Sequence, residues 1–513
     1  MGTAGDSLID ALLRADAYPH AVRDLTLIET HISWVLLTGD YVYKLKKPVK
    51  LPFLDFSTLD RRRHFCAEEL RLNRRLAPEI YLDVVTIGGS REAPRIGAEP
   101  AIEYAVKMKQ FAADATLDRQ LGGVDSEAIR RLGEAIAAFH EKTPPSETGG
   151  DGQAIARNLS ELEQALGGSQ VATLGGIAAW LRAALARLAI DLRTRHKGGA
   201  VKEGHGDLHL ENLACIDGRI VPFDALEFDP ALRCIDVLDE VAFTAMDFMA
   251  HGRDDFAFEF LNSYLECTGD YAGLAVLRLY LVHRALVRAK VQSIKAAQAS
   301  DTSRSQAQAE RYMSLAERLI APPSPLLIIT HGLSGSGKTR ISSELVSRLA
   351  AIRVRSDLER KRLRGLDALA HSDSPLGGGL YDSQTSDATY AALGQAAAAG
   401  LRRGFNVIAD GTFLRRRRRD ALLQVANQQG GQCVIVDCQA PEAVLRERIV
   451  NRAAQRADAS EATTRVLDHQ LTHRDPLAAD ELSRTVSVDT TALIDYGGLA
   501  SQIERFRAAK TKE

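Results

Sequence analysis

No long apolar run, no metal-spaced cysteine pair and no dominant charge sign is found in this 513-residue chain. Apolar runs such as 326–329 and 434–436 fall far short of the ~20 residues that cross a bilayer, so no membrane span is expected. The first twenty residues mix Asp6, Asp10, Arg14 and Asp16 with the apolar ones, which argues against a signal peptide. Met1-Gly2 lacks the Ser or Thr that myristoylation needs further on, since position 6 is Asp. The six cysteines (66, 215, 234, 267, 433 and 438) contain no CxxC pair; they read as packing residues of a reducing, cytoplasmic compartment. The 65 basic and 67 acidic side chains nearly cancel, so bulk charge demands no nucleic-acid partner.

What is present is enough chain for two to four domains, at roughly 100–200 residues each. Ala321-Pro322-Pro323-Ser324-Pro325 removes backbone donors and forces extended geometry, so it reads as a linker. The expected partition is 1–320, a linker over 321–325, and 326–513. It also divides the charge. Residues 326–513 hold 27 Lys and Arg against 22 Asp and Glu, and the remainder holds 38 against 45.

Upstream, the strongest signal is His205-Gly206-Asp207-Leu208-His209-Leu210-Glu211-Asn212. An Asp followed five residues later by Asn is the spacing of a kinase catalytic loop. The carboxylate of Asp207 orients an attacking hydroxyl and accepts its proton, and the carboxamide of Asn212 turns back to a magnesium ion. Two short strands closed by Asp217-Gly218 follow, ending at Asp224 as a second metal ligand.

This block resembles the aminoglycoside phosphotransferase and choline kinase group, whose loop reads HGDxxxxN. The resemblance spans about 20–295 and implies a bilobal, protein-kinase-like fold using ATP and Mg2+ on a small-molecule hydroxyl acceptor. It implies that Lys44, with Lys46 as the alternative on the same strand face, grips the phosphates. It implies an ion pair to Glu68 or Glu69 on a helix over 61–76, between which spacing does not choose. It makes 103–108, ending at Met108, a hinge strand that holds adenine through backbone groups. Asp236 would anchor the catalytic loop from below, and His205 would support it. His209 reads equally as a substrate contact or a solvent-facing side chain. The departures are plain: no GxGxxG covers the phosphates, no Arg precedes Asp207, no APE follows, and Asp224-Ala225-Leu226-Glu227 stands in place of DFG. A protein kinase switched by its activation loop is therefore not expected. Glu227 reads as a further metal ligand or as an ordinary loop carboxylate.

Downstream, the apolar run Leu326-Leu327-Ile328-Ile329 leads directly into Gly332-Leu333-Ser334-Gly335-Ser336-Gly337-Lys338-Thr339 and then a helical stretch. This is G-x-x-x-x-G-K-[ST] between strand and helix. Its glycines and serines let backbone N–H groups converge on phosphates, the helix N-terminus adds partial positive charge, Lys338 neutralises the β/γ-phosphates and the Thr339 hydroxyl ligates magnesium. ATP or GTP binding follows.

Two more strands end in acid, at Asp357 and Asp410, and a third precedes a helix carrying Arg448, Arg452 and Arg456 at four-residue spacing. This order resembles small P-loop kinases such as the kinase part of polynucleotide kinase, gluconate kinase and the zeta toxins, over about 326–475. The resemblance implies a three-layer α/β/α fold with a parallel sheet. Asp357 would be the base for the acceptor hydroxyl and Arg360 an acceptor contact. Asp410 would sit by the magnesium, with the three arginines as a lid over the transferred phosphate. The bland alternatives are a helix-capping Asp357 and a solvated arginine face. Arg415–Arg419 is five arginines in succession; five adjacent residues cover every side of a helix, so a mostly solvated helix start is favoured, with nucleic acid a less favoured partner and one or two of the arginines reaching an acceptor phosphate as the alternative.

The chain thus resembles bacterial fusions of an aminoglycoside-phosphotransferase-like domain with a P-loop, AAA-family ATP-binding domain. The expected activity is ATP- and Mg2+-dependent phosphoryl transfer at two sites. The alternatives are one kinase regulated by a P-loop nucleotide sensor, and a silent kinase-like binding module fused to a P-loop kinase.

Overall fold

The computed structural model describes residues 6–51, 54–150, 152–165, 170–298, 303–368, 370, 382–455 and 462–508. They fall into two compact units. One comprises 1–128, 138–154 and 192–244; the other comprises 129–137, 155–191 and 245–513.

The first unit is built on a six-stranded antiparallel sheet in the order Thr26–Glu29, Ser33–Leu37, Tyr41–Lys46, Ala101–Lys109, Tyr81–Gly89 and Pro94–Ile96. The helix Leu59–Asn73, capped by the Thr58 side chain at the Arg61 amide, packs on this sheet. The core beneath it gathers Val42, Cys66, Tyr81, Val106 and Met108. After the sheet, Leu213–Ile216 pairs with Arg219–Pro222. Their turn has φ +49° at Asp217 and +73° at Gly218, the left-handed pair that Asp-Gly suits.

The second unit holds a five-stranded, all-parallel sheet in the order Ala351–Arg355, Asn406–Asp410, Leu326–His331, Gln432–Gln439 and Thr485–Asp489. Leu326 to Ile329 are wholly buried, as a strand covered on both faces requires. Helix Lys338–Leu349 packs with Tyr496–Ala508 and with Asp254–Thr268, while Ser383–Arg402 packs with Arg416–Gln428. This is the expected α/β layering. Helices Leu274–Gln298 and Ser303–Ile320 pack together in the same unit. The proline segment 321–325 falls within the second unit.

One helix among the described residues, Thr173–Lys197, has the length and hydropathy to cross a membrane. Arg182 and Arg187 break it into short apolar runs, so a reading by unbroken runs does not register it. It buries Ile177, Leu181 and Leu188. None of the six cysteines is disulfide-bonded.

Candidate active sites

In the strand Tyr41–Lys46 the period of two turns Lys44 and Lys46 to one face, and the structure gives them different surroundings. Lys44 Nζ lies 2.8 Å from Glu69 Oε1 and 2.5 Å from Asp224 Oδ1. Lys46 has no exposed side chain and bonds Glu69 Oε2 and Glu227 Oε1. Of the two glutamates left open by spacing, Glu69 thus bridges both lysines, whereas Glu68 pairs with Arg71 at 2.8 Å. Glu227 is a buried partner of Lys46.

Burial favours the neutral form of Lys44, but the carboxylates of Asp224, Glu69 and Glu227 outweigh it and hold the ammonium well above its ordinary pKa. Burial likewise opposes ionised Glu69, yet the two lysines hold it down at about 2. Met108 packs its side chain into the core beside Val42 and Tyr81 and pairs in the sheet with both of their strands.

The catalytic-loop residues converge. Asn212 Nδ2 donates to Asp207 O at 2.9 Å and to Asp207 Oδ2 at 3.0 Å. His209 is buried, with Nε2 3.3 Å from Asp207 Oδ2, which excludes the solvent-facing reading. His205 places Nε2 2.8 Å from Phe223 O, tying the loop to the strand end that carries Asp224; burial holds its imidazole pKa down.

The anchor from below is not Asp236. That carboxylate accepts from Arg195 at 2.6 and 2.8 Å and from the Leu238 amide. Glu240, one helical turn further, accepts from the amides of His205 (2.7 Å) and Gly206 (3.2 Å) and meets His140 Nε2 at 3.2 Å. Burial pushes the Glu240 carboxyl up, but His140 and the loop amides hold it down at about 2. A Cβ at position 204 would stand 1.9 Å from Glu240 Oε2, so only glycine admits this approach. The sequence carries no signal that singles out Glu240, since Asp239 and Asp247 lie on the same helix, 237–250.

Asn212 and Asp224, the metal ligands expected from the sequence, flank the hairpin, whose base is closed by Phe223 N donating to Asn212 O at 3.0 Å. Asp224 adopts φ +61°, and its amide donates to Tyr81 Oη at 3.0 Å. A carboxamide oxygen and a carboxylate are hard donors, and this donor set fits magnesium.

In the second unit the loop after the central strand Leu326–His331 lines a cleft of about 730 Å³, at the carboxyl ends of the parallel strands where such sheets bind ligands. Gly335, at φ +83°, leaves room where a Cβ would stand 2.7 Å from Leu445 O. Ser334 is clasped by Gln470, its amide donating at 2.8 Å and its hydroxyl accepting at 3.0 Å. Ser336 Oγ stands 3.4 Å from Lys338 Nζ, and Gly332 N donates to Thr412 O. Gly337 caps the helix Lys338–Leu349 in the left-handed region. Lys338 Nζ donates to Leu333 O at 2.7 Å, and burial pushes its pKa down. Unlike Lys44, Lys338 has no carboxylate in bonding contact among the described residues, so a phosphate would supply its counter-charge.

Thr339, Asp357, Arg360 and Asp410 line the same cleft. Asp410 accepts from Ser342 Oγ at 2.9 Å and Thr330 Oγ1 at 3.3 Å. Asp357 pairs with Arg360 at 3.1 Å. Arg448 reaches Gly335 O at 3.3 Å and Thr490 Oγ1 at 2.9 Å; Arg452 lines the cleft and donates to Ala462 O. Arg456 lies outside the described residues. The helix Asp254–Thr268, which sequence reasoning attached to nothing here, meets the edge strand. Asn262 accepts from Arg353 N at 2.5 Å and donates to Ala351 O at 2.8 Å. No local pattern announces such a contact.

The family model described as an AAA domain matches residues 327–477. The uncharacterized protein Rv2004c of Mycobacterium tuberculosis is 30% identical over 459 residues, covering 86% of this chain and 89% of that protein. The uncharacterized protein Mb2027c of Mycobacterium bovis matches to the same extent. Among solved structures, an amicoumacin kinase in complex with AMP-PNP, Ca2+ and amicoumacin is 14% identical, covering 62% of this chain and 94% of its own, with a TM-score of 0.40. A gluconokinase from Sinorhizobium meliloti is 23% identical over 36% of this chain and 91% of its own, with a TM-score of 0.25.

Proposed function

This chain belongs to the family of the mycobacterial protein Rv2004c, and we propose that it is a phosphotransferase with two nucleotide sites, each moving the γ-phosphate of ATP to a hydroxyl acceptor. The observation that carries the reading is the meeting of separated sequence elements. Lys44, Glu69 and Asp224 converge in one unit, and the Lys338 loop shares a cleft with Asp357 and Asp410 in the other. We divide the chemistry at the proline segment, with 1–320 contributing the first site and 326–513 the second.

At the first site Asp207 orients the acceptor hydroxyl and takes its proton, and Lys44 holds the phosphates. Glu69 holds Lys44, and Asn212 and Asp224 hold magnesium. At the second, loop amides and Lys338 hold the phosphates, Thr339 and Asp410 hold magnesium, and Asp357 faces the acceptor with Arg360. Arg448 and Arg452 lie by the transferred group. Magnesium, when bound, neutralises charge on the phosphates. The rest is positioning and electrostatic stabilisation by the chain's own groups. The acceptors are small molecules in this reading, and the compartment is the cytoplasm.

ADP release by the full chain over a panel of sugars, amino alcohols and nucleosides tests it. Asp207→Asn and Asp357→Asn are expected to remove separate activities. If Asp357→Asn removes none, the second domain is a nucleotide sensor; if Asp207→Asn removes none, the first is a silent module.

A further inference from the structure

The run Arg415–Arg419 has no place in the reading above. The structure divides its five members. Arg419 is buried on Glu481, at 2.6 and 2.9 Å, and also donates to Phe413 O. Arg416 turns to Asp480 at 2.8 Å. Both are structural. Arg415, Arg417 and Arg418 instead line the P-loop cleft. They follow the strand Asn406–Asp410, the neighbour of the strand that leads to Asp357.

Arg418 is held for a purpose beyond solvation. Its guanidinium lies 4.0 Å over the ring of Tyr390. That ring is in turn fixed by an edge contact with Phe413 at 5.0 Å and a hydroxyl contact with Thr412 Oγ1 at 3.1 Å. Arg418 Nε is buried and has no hydrogen-bond partner among the described residues. Arg417 and Arg418 share one carboxylate, Asp387, at 3.0 and 3.3 Å. Arg415 has Asp475 at 3.5 Å. Three guanidinium groups thus face two carboxylates that are about half exposed themselves.

The whole cleft carries nine lysine and arginine residues against two aspartates. Lys338, Arg448 and Arg452 serve the nucleotide, and Arg360 is paired to Asp357. Arg355 reaches Glu266 at 3.6 Å and Arg340 lies on the helix Lys338–Leu349, so Arg415, Arg417 and Arg418 remain as positive charge on the acceptor side, unmatched by the triphosphate. A planar guanidinium pre-set on an aromatic face binds carboxylate or phosphate with little ordering cost.

We propose that the acceptor of the P-loop site is a small hydroxyl compound bearing its own carboxylate or phosphate, with that anion seated on Arg418 and Arg415 while its hydroxyl faces Asp357. The proposal rests on the P-loop kinase reading and deepens it. In the transfer, the acceptor oxygen forms a bond to the γ-phosphorus, the bond from that phosphorus to the β,γ-bridging oxygen breaks, ADP leaves, and the hydroxyl proton passes to Asp357. A cleft of about 730 Å³ is of the size that takes a nucleotide and a small partner, which favours this over a polymer.

The test is calorimetric binding to the full chain, loaded with a non-hydrolysable ATP analogue and magnesium, of glycerol, glycerate, glycerol 3-phosphate and a 5′-hydroxyl oligonucleotide. One or both small anions are expected to bind about tenfold or more tighter than glycerol, and the better of the two assigns phosphate or carboxylate. Arg418→Gln is expected to abolish most of that preference while analogue binding persists; Arg415→Gln is the second variant should the first not fold. Equal binding of glycerol and both anions, a preference that survives both substitutions, or tighter binding of the oligonucleotide would overturn the proposal alone. An analogue stoichiometry that Lys338→Ala leaves unchanged would overturn the nucleotide reading of this cleft and this proposal with it.

Discussion

Glu266, on the helix Asp254–Thr268, sets its Oε1 2.7 Å from Arg353 Nη2, and its Oε2 lies 3.6 Å from Arg355 Nη1. A helix that precedes the proline segment in sequence thereby grips the strand that delivers Asp357. Asn262 and Tyr271 reinforce it at the backbone of the same strand, Tyr271 Oη donating to Arg353 O at 3.1 Å. As an edge strand, Ala351–Arg355 has backbone groups to satisfy, and this helix satisfies them.

The clamp makes the first prediction. Asn262→Ala leaves the Arg353 N–H and the Ala351 C=O unpaired in a buried place, at about 1–3 kcal/mol for each unsatisfied group. Urea unfolding of the full chain is expected to show a transition at lower denaturant for the unit that contains the P-loop. An unchanged profile would mean that the contact contributes nothing to stability.

Lys44 and Lys46 supply the second. Lys46 is buried with Glu69 and Glu227, so Lys46→Met strands two carboxylates in the interior and is expected to cost about 3–5 kcal/mol. Lys44 borders the site, so Lys44→Met is expected to weaken nucleotide binding more than it weakens the fold. Denaturation and ATP titration of both variants check this. A Lys46 variant of normal stability but impaired in ATP binding would reverse the assignment of the phosphate lysine.

Acid sensitivity is the third. Glu240 is held at about 2 against an ordinary value near 4.5. A carboxyl depressed on folding stabilises the protein above its unfolded pKa, and that contribution disappears as pH falls towards the folded value. The window is therefore roughly pH 4.5 down to 2, and the contribution is about 3 kcal/mol. Glu240→Gln is expected to lower stability at pH 7 and to flatten its fall across that window, measured by chemical denaturation at several pH values. A slope equal to wild type would remove Glu240 from the account of the catalytic loop.

Gly335→Ala makes the fourth. The new methyl would press on Leu445 O from a backbone at φ +83°, so the loop must shift. ATP affinity at the P-loop site is expected to fall by about tenfold or more, a cost of roughly 1–3 kcal/mol. An unchanged affinity would show that the loop tolerates the displacement.

What was legible in the sequence was whatever chemistry is contiguous. Gly332 to Thr339 carries its strand, its turn and its helix start in one segment, and Asp207 to Asn212 likewise carries its own spacing. The Asp217-Gly218 turn was readable because two left-handed residues in succession admit few amino acids. What spacing left unread was pairing at a distance. Glu68 and Glu69 are adjacent in sequence but point about 100° apart on their helix, and only the packing selects Glu69. Asp236 and Glu240 lie a turn apart, and the approach allowed by Gly204 decides for Glu240. The grip of Asn262 and Glu266 on Arg353 crosses some ninety residues, far beyond any local period. The five arginines are uniform as a string, and the structure sorts them into a buried anchor, Arg419, an outward Arg416 and three that line the cleft.

The central claim, two nucleotide sites in one chain, is tested most directly by counting ATP bound per chain in magnesium by calorimetry. The account predicts two sites in the wild type, one in Lys338→Ala and one in Lys44→Ala, with a different site lost in each. A single site in the wild type, lost in only one of the two variants, would contradict it.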